Sequence, residues 1–222
     1  MRINADFENP AVVAPHDYQW VCSPQSGVER VMLDRIGGEK ARATSIVRYA
    51  PDAWFPRHVH PDGEEILVLS GTFSDEGGNY PAGWYLRNPP GSSHRPFTNE
   101  GAIIFVKLGQ MAPGDTRRVR VDTGNQVSWH RRNGREFCPL VENDAEQICL
   151  QRVPPGETVF SDIVDSGELL VLAGDVVIHG QSHPRGTWMR LPAGKHASIT
   201  TGARGAKLYL KTGKPFGIKA AA

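Results

Sequence analysis

The sequence predicts an all-β protein, two small antiparallel β-barrels in tandem. Three observations carry this. No stretch sustains a helical period, while short runs rich in apolar and β-branched residues recur along the chain. The runs are punctuated by turn residues, 24 Gly and 17 Pro in 222 residues, as many short strands joined by tight turns require. The second half also repeats the first. Residues 146–155 (EQICLQRVPP) echo 43–51 (ATSIVRYAP), and 169–174 (LLVLAG) echo 66–71 (ILVLSG). Residues 184–194 echo 81–91, and 205–211 (GAKLYLK) echo 101–107 (GAIIFVK).

Taken in order, residues 1–19 read as an extended arm. Residues 20–33 (WVCSPQSGVERVML) are paired short strands around Ser23-Pro24, and 43–50 form a strand. The aromatic and β-branched run 55–60 (FPRHVH) is another strand, closed by the turn signal Pro61-Asp62-Gly63. Glu64 opens the strand 65–69 (EILVL), which ends at Gly71. Residues 83–87 (GWYLR) and 102–108 (AIIFVKL) complete the first barrel. Pro113-Gly114 marks its exit, and 116–125 is polar. The expected organisation is a barrel over 1–112 with the arm at 1–19, a connector over 113–125, and a second barrel over 126–222.

Composition excludes several classes. Formal net charge is +1, which gives no electrostatic case for nucleic acid or an anionic membrane. No apolar run approaches the roughly 18–20 residues of a membrane span. The first twenty residues carry Asp6 and Glu8 and lack the apolar core of a secretory signal. Cys22, Cys138 and Cys149 form no CxxC pair. This usage favours reduced, buried thiols in the cytoplasm.

The chemistry lies in two stretches. His58 and His60 are two apart on a strand, so both imidazoles point to one face. Glu64 follows the turn, and His94 follows the Pro89-Pro90-Gly91 turn. Three imidazoles and a carboxylate are donors for a first-row metal ion. An all-protein donor set leans to one closed Zn(II) site, although the same set leaves open positions on Fe(II), Mn(II) or Ni(II). Glu65, adjacent to Glu64, should face the other way and pair with Arg57 or Arg87. Arg87 and Asn88 are candidates to orient the ligands. Trp54, Phe73, Tyr85 and Phe105 fill the core or line a pocket.

The pattern HxHxxxE, six residues and Gly (His58, His60, Glu64, Gly71), with Gly83, Pro89 and His94 about thirty residues on, resembles the two metal motifs of the cupin superfamily. The run GEEILVLSGTFSDEGGNYPAGWYLRNPPGSSHRP (63–96) is similar to a narrower group, the zinc-binding cupin-like domain of ChrR-type anti-sigma factors. The resemblance implies a bicupin with metal ligands His58, His60, Glu64 and His94. The second copy has lost the His-rich hairpin. It has Ser161-Asp162-Ile163-Val164 there, with Glu168 placed near the Glu64 position and His196 near the His94 position. His179 and His183 flank a turn and His16 lies in a polar stretch, so all three should be exposed.

Two functions follow from the resemblance. The ChrR-like reading implies a zinc-bound sensor of oxidative stress that governs an extracytoplasmic-function sigma factor. Proteins of that group bind sigma through an N-terminal helical zinc domain with a His-xxx-Cys-xx-Cys pattern, which residues 1–40 lack. The alternative is a metal-dependent dioxygenase acting on a small diketone- or flavonol-like molecule. A small-molecule ligand suits either, and so do a monomer and a homodimer.

Overall fold

The computed structural model describes all residues except 39, 113, 161–164, 195–198 and 214–222. In chain order its strands begin with Arg2–Ile3 (β1), Ala11–Val13 (β2), Val21–Cys22 (β3), Val28–Gly37 (β4), Ala41–Tyr49 (β5) and His58–His60 (β6). Next come Glu64–Asp75 (β7), Gly78–Pro81 (β8), Trp84–Asn88 (β9), Ser92–His94 (β10), Ala102–Leu108 (β11) and Val119–Asp122 (β12). The rest are His130–Arg132 (β13), Arg135–Glu142 (β14), Glu146–Val153 (β15), Gly167–Ile178 (β16), Gln181–Pro184 (β17), Trp188–Leu191 (β18) and Thr200–Gly213 (β19). Every strand pairing among the described residues is antiparallel, and the strands form two antiparallel β units in tandem, as the sequence predicts.

The first unit includes Met1–Ala5 and Gln19–Gly124. Its sheet runs β1-β4-β5-β11-β7-β9-β12, with β3 on β4 and β8 on β7, and β6 pairs with β10 in a separate ribbon. One face of the sheet carries a core including Ile66, Val68, Leu86, Ile104 and Val106. The second unit includes Asp6–Tyr18 and the described residues of 125–213, in sheet order β13-β14-β15-β19-β16-β18-β2 with β17 on β16. Its core includes Leu169, Val171, Met189, Leu208 and Leu210.

The repeat expected from sequence is a repeat of structure. Gly71 (φ 65°) and Gly174 (φ 70°) sit at matching points of β7 and β16. A Cβ there would lie 2.0 Å from the carbonyl oxygens of Gly101 and Gly205 respectively, so both positions need glycine for backbone approach as well as for φ. Likewise Gly83 N donates to Val68 O, and Gly186 N to Val171 O, each at 2.8 Å. The strand opened by Glu64 does not end at Gly71; it continues through that residue to Asp75.

The ends of the barrels differ from the expected organisation. Residues 6–18 belong with the second unit: β2 pairs with β18, and the Tyr18 hydroxyl donates to Gly186 O at 2.5 Å. The Arg190 guanidinium also covers the Phe7 ring at 3.8 Å. The polar stretch 116–125 contains β12, which hydrogen-bonds to β9 and so extends the first sheet. Cys138 and Cys149 are buried, and burial pushes the Cys149 thiol up to about 11, but Cys22 is exposed, contrary to expectation. Among the described residues no helix is long and apolar enough to cross a membrane.

Candidate metal centre

The local sequence places each donor. The turn His60-Pro61-Asp62-Gly63 closes with Gly63 N donating to His60 O at 3.2 Å, with Pro at the position where its fixed φ is favoured. The Pro89-Pro90-Gly91-Ser92 turn closes with Ser92 N on Pro89 O at 3.0 Å, and Gly91 takes φ 80°. Gly91 N also donates to His60 O at 2.8 Å. These turns set the β6–β10 register, in which His94 lies directly opposite His58.

The result brings all four sequence-predicted residues together. One donor atom from each of His58, His60, Glu64 and His94 lies within 4.8 Å of the others. His60 Nε2 is 3.1 Å from His94 Nε2, and Glu64 Oε2 is 3.4 Å from each of those nitrogens. A tetrahedral ion with bonds of about 2.0–2.1 Å needs donor–donor edges of about 3.4 Å, and six-coordinate ions somewhat shorter ones. The spacings among His60, His94 and Glu64 therefore fit a first-row divalent ion, with His58 close by as the fourth donor.

Hydrogen bonds aim the rings. His58 Nδ1 donates to Pro56 O at 2.8 Å, and His94 Nδ1 donates to Asp75 Oδ2 at 3.1 Å. Each bond fixes the tautomer and leaves Nε2 as the lone-pair donor. Asn88 Nδ2 donates to Glu64 Oε2 at 2.9 Å, and Arg120 in turn holds Asn88 Oδ1 at 2.7 Å. Burial pulls the His60 pKa down, with the neighbouring imidazoles assisting and Glu64 opposing. Burial also opposes protonation of His94, but the Asp75 hydrogen bond and the nearby carboxylates outweigh it and raise its pKa.

Other expectations resolve individually. Asn88 holds the Glu64 carboxylate, whereas Arg87 touches none of the four candidate donors: it pairs with Glu65 at 2.9 Å and with Asp115 at 2.9 Å. The Glu65–Arg87 pair is buried rather than on an outer exposed face, and Arg57 pairs with Glu76 instead. Phe73, Tyr85 and Phe105 are buried, and Trp54 is largely exposed. His16 and His179 are exposed and His183 half-buried. His179-Gly180, both with positive φ, make the two-residue turn between β16 and β17. Sequence reasoning missed Asp75 and Arg120. Asp75 followed by Glu-Gly-Gly reads as a plain turn residue, and Arg120 lies in the presumed connector.

In the second unit Glu168 is the counterpart of Glu65, not of Glu64. Glu65 stands opposite Arg87 and Lys107, and Glu168 stands opposite Arg190 and Lys211. Glu65 accepts from Tyr85 and Glu168 from Trp188, at 3.0 and 2.7 Å. Gly167 therefore occupies the Glu64 position, which carries no side-chain donor. Asp162 and His196 lie outside the described residues. Glu168→Ala should leave the metal content per chain unchanged, checked by elemental analysis; a halved content would mean that this unit also loads.

The four donors sit at a cavity of about 580 Å³ within the first unit. His58, His60 and Glu64 line it, and its apolar wall is formed by Val28, Val47, Phe55, Ile104, Val106 and Leu108.

Residues 8–112 match the family model described as the ChrR cupin-like domain. No curated protein matches the chain in sequence. Among solved structures, the chain is similar to a protein of Nostoc punctiforme described provisionally as a dioxygenase. That match has TM-score 0.71 and 13% identity and covers 100% of this chain and 84% of that one. It is also similar to the bacterial pirin YhhW of Escherichia coli in complex with nickel(II), with TM-score 0.67, 14% identity, and 93% and 100% covered. A cupin 2 conserved barrel domain protein of Leptotrichia buccalis matches with TM-score 0.57, 14% identity, and 87% and 92% covered. At these identities the likeness concerns the fold.

Proposed function

We propose that this chain, a cupin-superfamily protein whose residues 8–112 form a ChrR cupin-like domain, is a metal-dependent oxygenase of a small organic molecule. One observation carries the reading: three of the four donors face a largely apolar cavity large enough for a small substrate. A structural zinc site has no need of such an approach. His58, His60, Glu64 and His94 would hold one Fe(II), Mn(II) or Ni(II). Bound there, such an ion supplies Lewis acidity and one-electron chemistry. The protein's part is to keep the imidazoles neutral and aimed, through Pro56 O and Asp75, to fix the Glu64 carboxylate through Asn88, and to shield the substrate from water.

The test is elemental analysis after expression with several metals available, followed by oxygen-uptake assays with small diketones and keto acids. One iron, manganese or nickel per chain with substrate-dependent uptake is expected. One zinc per chain and no uptake would overturn the oxygenase reading. It would leave the second one, a zinc-bound regulatory sensor of oxidative stress, which the match to the ChrR cupin-like domain favours.

Asp75 gives a sharper expectation. Asp75→Asn should weaken metal binding about 10–100-fold near neutral pH, as loss of a carboxylate behind a ligating imidazole does. The metal competes with a proton for His94, and Asp75 raises the His94 pKa. The variant's His94 therefore releases its proton at lower pH, and the deficit should narrow as pH falls. Competition with a chromophoric chelator at two pH values measures both; an unchanged affinity would remove Asp75 from the site.

A further inference from the structure

The cavity that meets the metal cluster carries three cations, Arg30, Arg35 and Lys40, beside its apolar wall. Arg30 on β4 stands opposite Val47, which stands opposite Ile104. Cross-strand partners share a face, so Arg30 projects from the same face as two residues of the cavity wall. Arg35 is five residues on and would ordinarily face the other way. The register shift between Met32 and Asp34 corrects this, because Arg35 comes to lie opposite Ala43, on the face of Ser45 and Val47. The irregularity thus puts two guanidiniums on one face. Both line the cavity, as does Lys40.

Arg42, Arg48, Arg57 and Arg87 of the same unit each pair with a carboxylate. Among the described residues, Arg30, Arg35 and Lys40 pair with none. Arg30 donates to Ser23 Oγ at 3.3 Å and Arg35 to Gly38 O; among the described residues these bonds engage a minority of the five N–H donors on each. Asp62 also lines the cavity and forms an ion pair with none of them. The Arg30 charge adds to burial in lowering the Arg35 pKa, as expected of neighbouring unneutralised cations.

Two hydroxyls point the same way. Tyr49 is 8% exposed and Ser45 5%, and both line the cavity. Neither side chain hydrogen-bonds to another group among the described residues. Burial, with the Glu64 charge assisting and Arg30 opposing, raises the Tyr49 phenol pKa, so the hydroxyl is neutral and able to donate. Tyr49 lines the cavity, where that hydroxyl can serve a bound acceptor.

We propose that the cavity binds a small organic carboxylate, its carboxylate on Arg30 and Arg35, its apolar body along Val47 and Ile104, and its far end at the Tyr49 hydroxyl and the metal cluster. Guanidinium forks match carboxylate geometry and hold it bidentately, and the cavity volume accommodates a phenylalkanoate. The assignment rests on the reading of this cavity as the approach to the metal, and the two can fail separately.

The experiment is calorimetric titration of the metal-loaded full chain with 4-phenylbutyrate and with 4-phenylbutyramide, which has the same shape and no charge. The acid should bind at least about tenfold more tightly. Arg30→Met with Arg35→Met should reduce the ratio to within about twofold while metal content stays unchanged. Should the double variant misfold, Arg30→Gln alone should reduce the ratio at least about threefold. Equal binding of acid and amide by the native chain, no binding of either, or a ratio that survives the substitutions would overturn the proposal. Chelator-treated native chain separates the two readings. A preference that persists without metal supports the arginine site. A preference lost on chelation but retained by the double variant puts the carboxylate on the metal and overturns it. A purified chain without metal that still prefers the acid sinks the metal reading alone.

Discussion

His60→Ala should reduce metal from one ion per chain to a trace, the largest change expected of any single substitution at the centre. His60 is 5% exposed, and its Nε2 lies 3.1 Å from that of His94 and 3.4 Å from Glu64 Oε2. Removing it leaves three donors around an apolar gap, and a water that replaced it would have to be held there. His58→Ala should have the same direction of effect, although His58 is half-buried at the cavity and solvent can take its place more readily. The two variants should therefore rank, His60 losing more. The measurement is elemental analysis beside circular dichroism, so that loss of fold is not mistaken for loss of a ligand. Full occupancy in a folded His60→Ala chain would disprove the ligand assignment.

The grouping of the four candidate donors was legible because the relevant geometry is local. Two imidazoles two apart on a strand share a face, and a Pro-Asp-Gly turn returns the chain to place Glu64 beside them. His94 needed a longer-range argument, which the Pro-Pro-Gly turn supplies through its hydrogen bond to His60 O. Residues that act from behind the ligands were not legible. Asp75 reaches His94 only because β7 crosses Gly71 without stopping, and Gly71 permits this through its close contact with Gly101. Arg120 reaches Asn88 only because the four-residue alternation Val119-Arg120-Val121-Asp122, too short to stand out in a polar stretch, adds a strand to the sheet edge. The placing of Arg35 on the face of Arg30 depends on a register shift in β4, which pattern reading does not reveal. Residues 11–13 (AVV) looked like part of an arm because a three-residue strand shows its partner only in the fold.

The Glu64-Glu65 doublet is the place where neighbouring residues of one type do opposite work, and a pair of substitutions should separate them. Glu65 is 2% exposed and Arg87 0%. Glu65→Ala strips a buried guanidinium of one partner, a change that costs about 3–5 kcal/mol. Because Asp115 still faces Arg87 Nη2 at 2.9 Å, the lower end of that range is expected. The Tyr85 hydroxyl also loses its acceptor at 3.0 Å. Metal per folded chain should stay at the native level. Glu64→Ala should do the reverse: it loses metal and, compared in chelator so that ligand binding does not contribute to stability, unfolds at nearly the native urea concentration. Urea midpoints in chelator together with metal analysis of the folded fraction decide the matter, and loss of metal from Glu65→Ala with retention in Glu64→Ala would exchange the two roles. The second unit supports the division, since it keeps Glu168 with Trp188, Arg190 and Lys211 at the Glu65 arrangement while Gly167 stands where Glu64 would be. A residue repeated in a copy whose sequence lacks the His-rich hairpin fits a role in the barrel, and the residue absent from that copy is the one we assign to the metal.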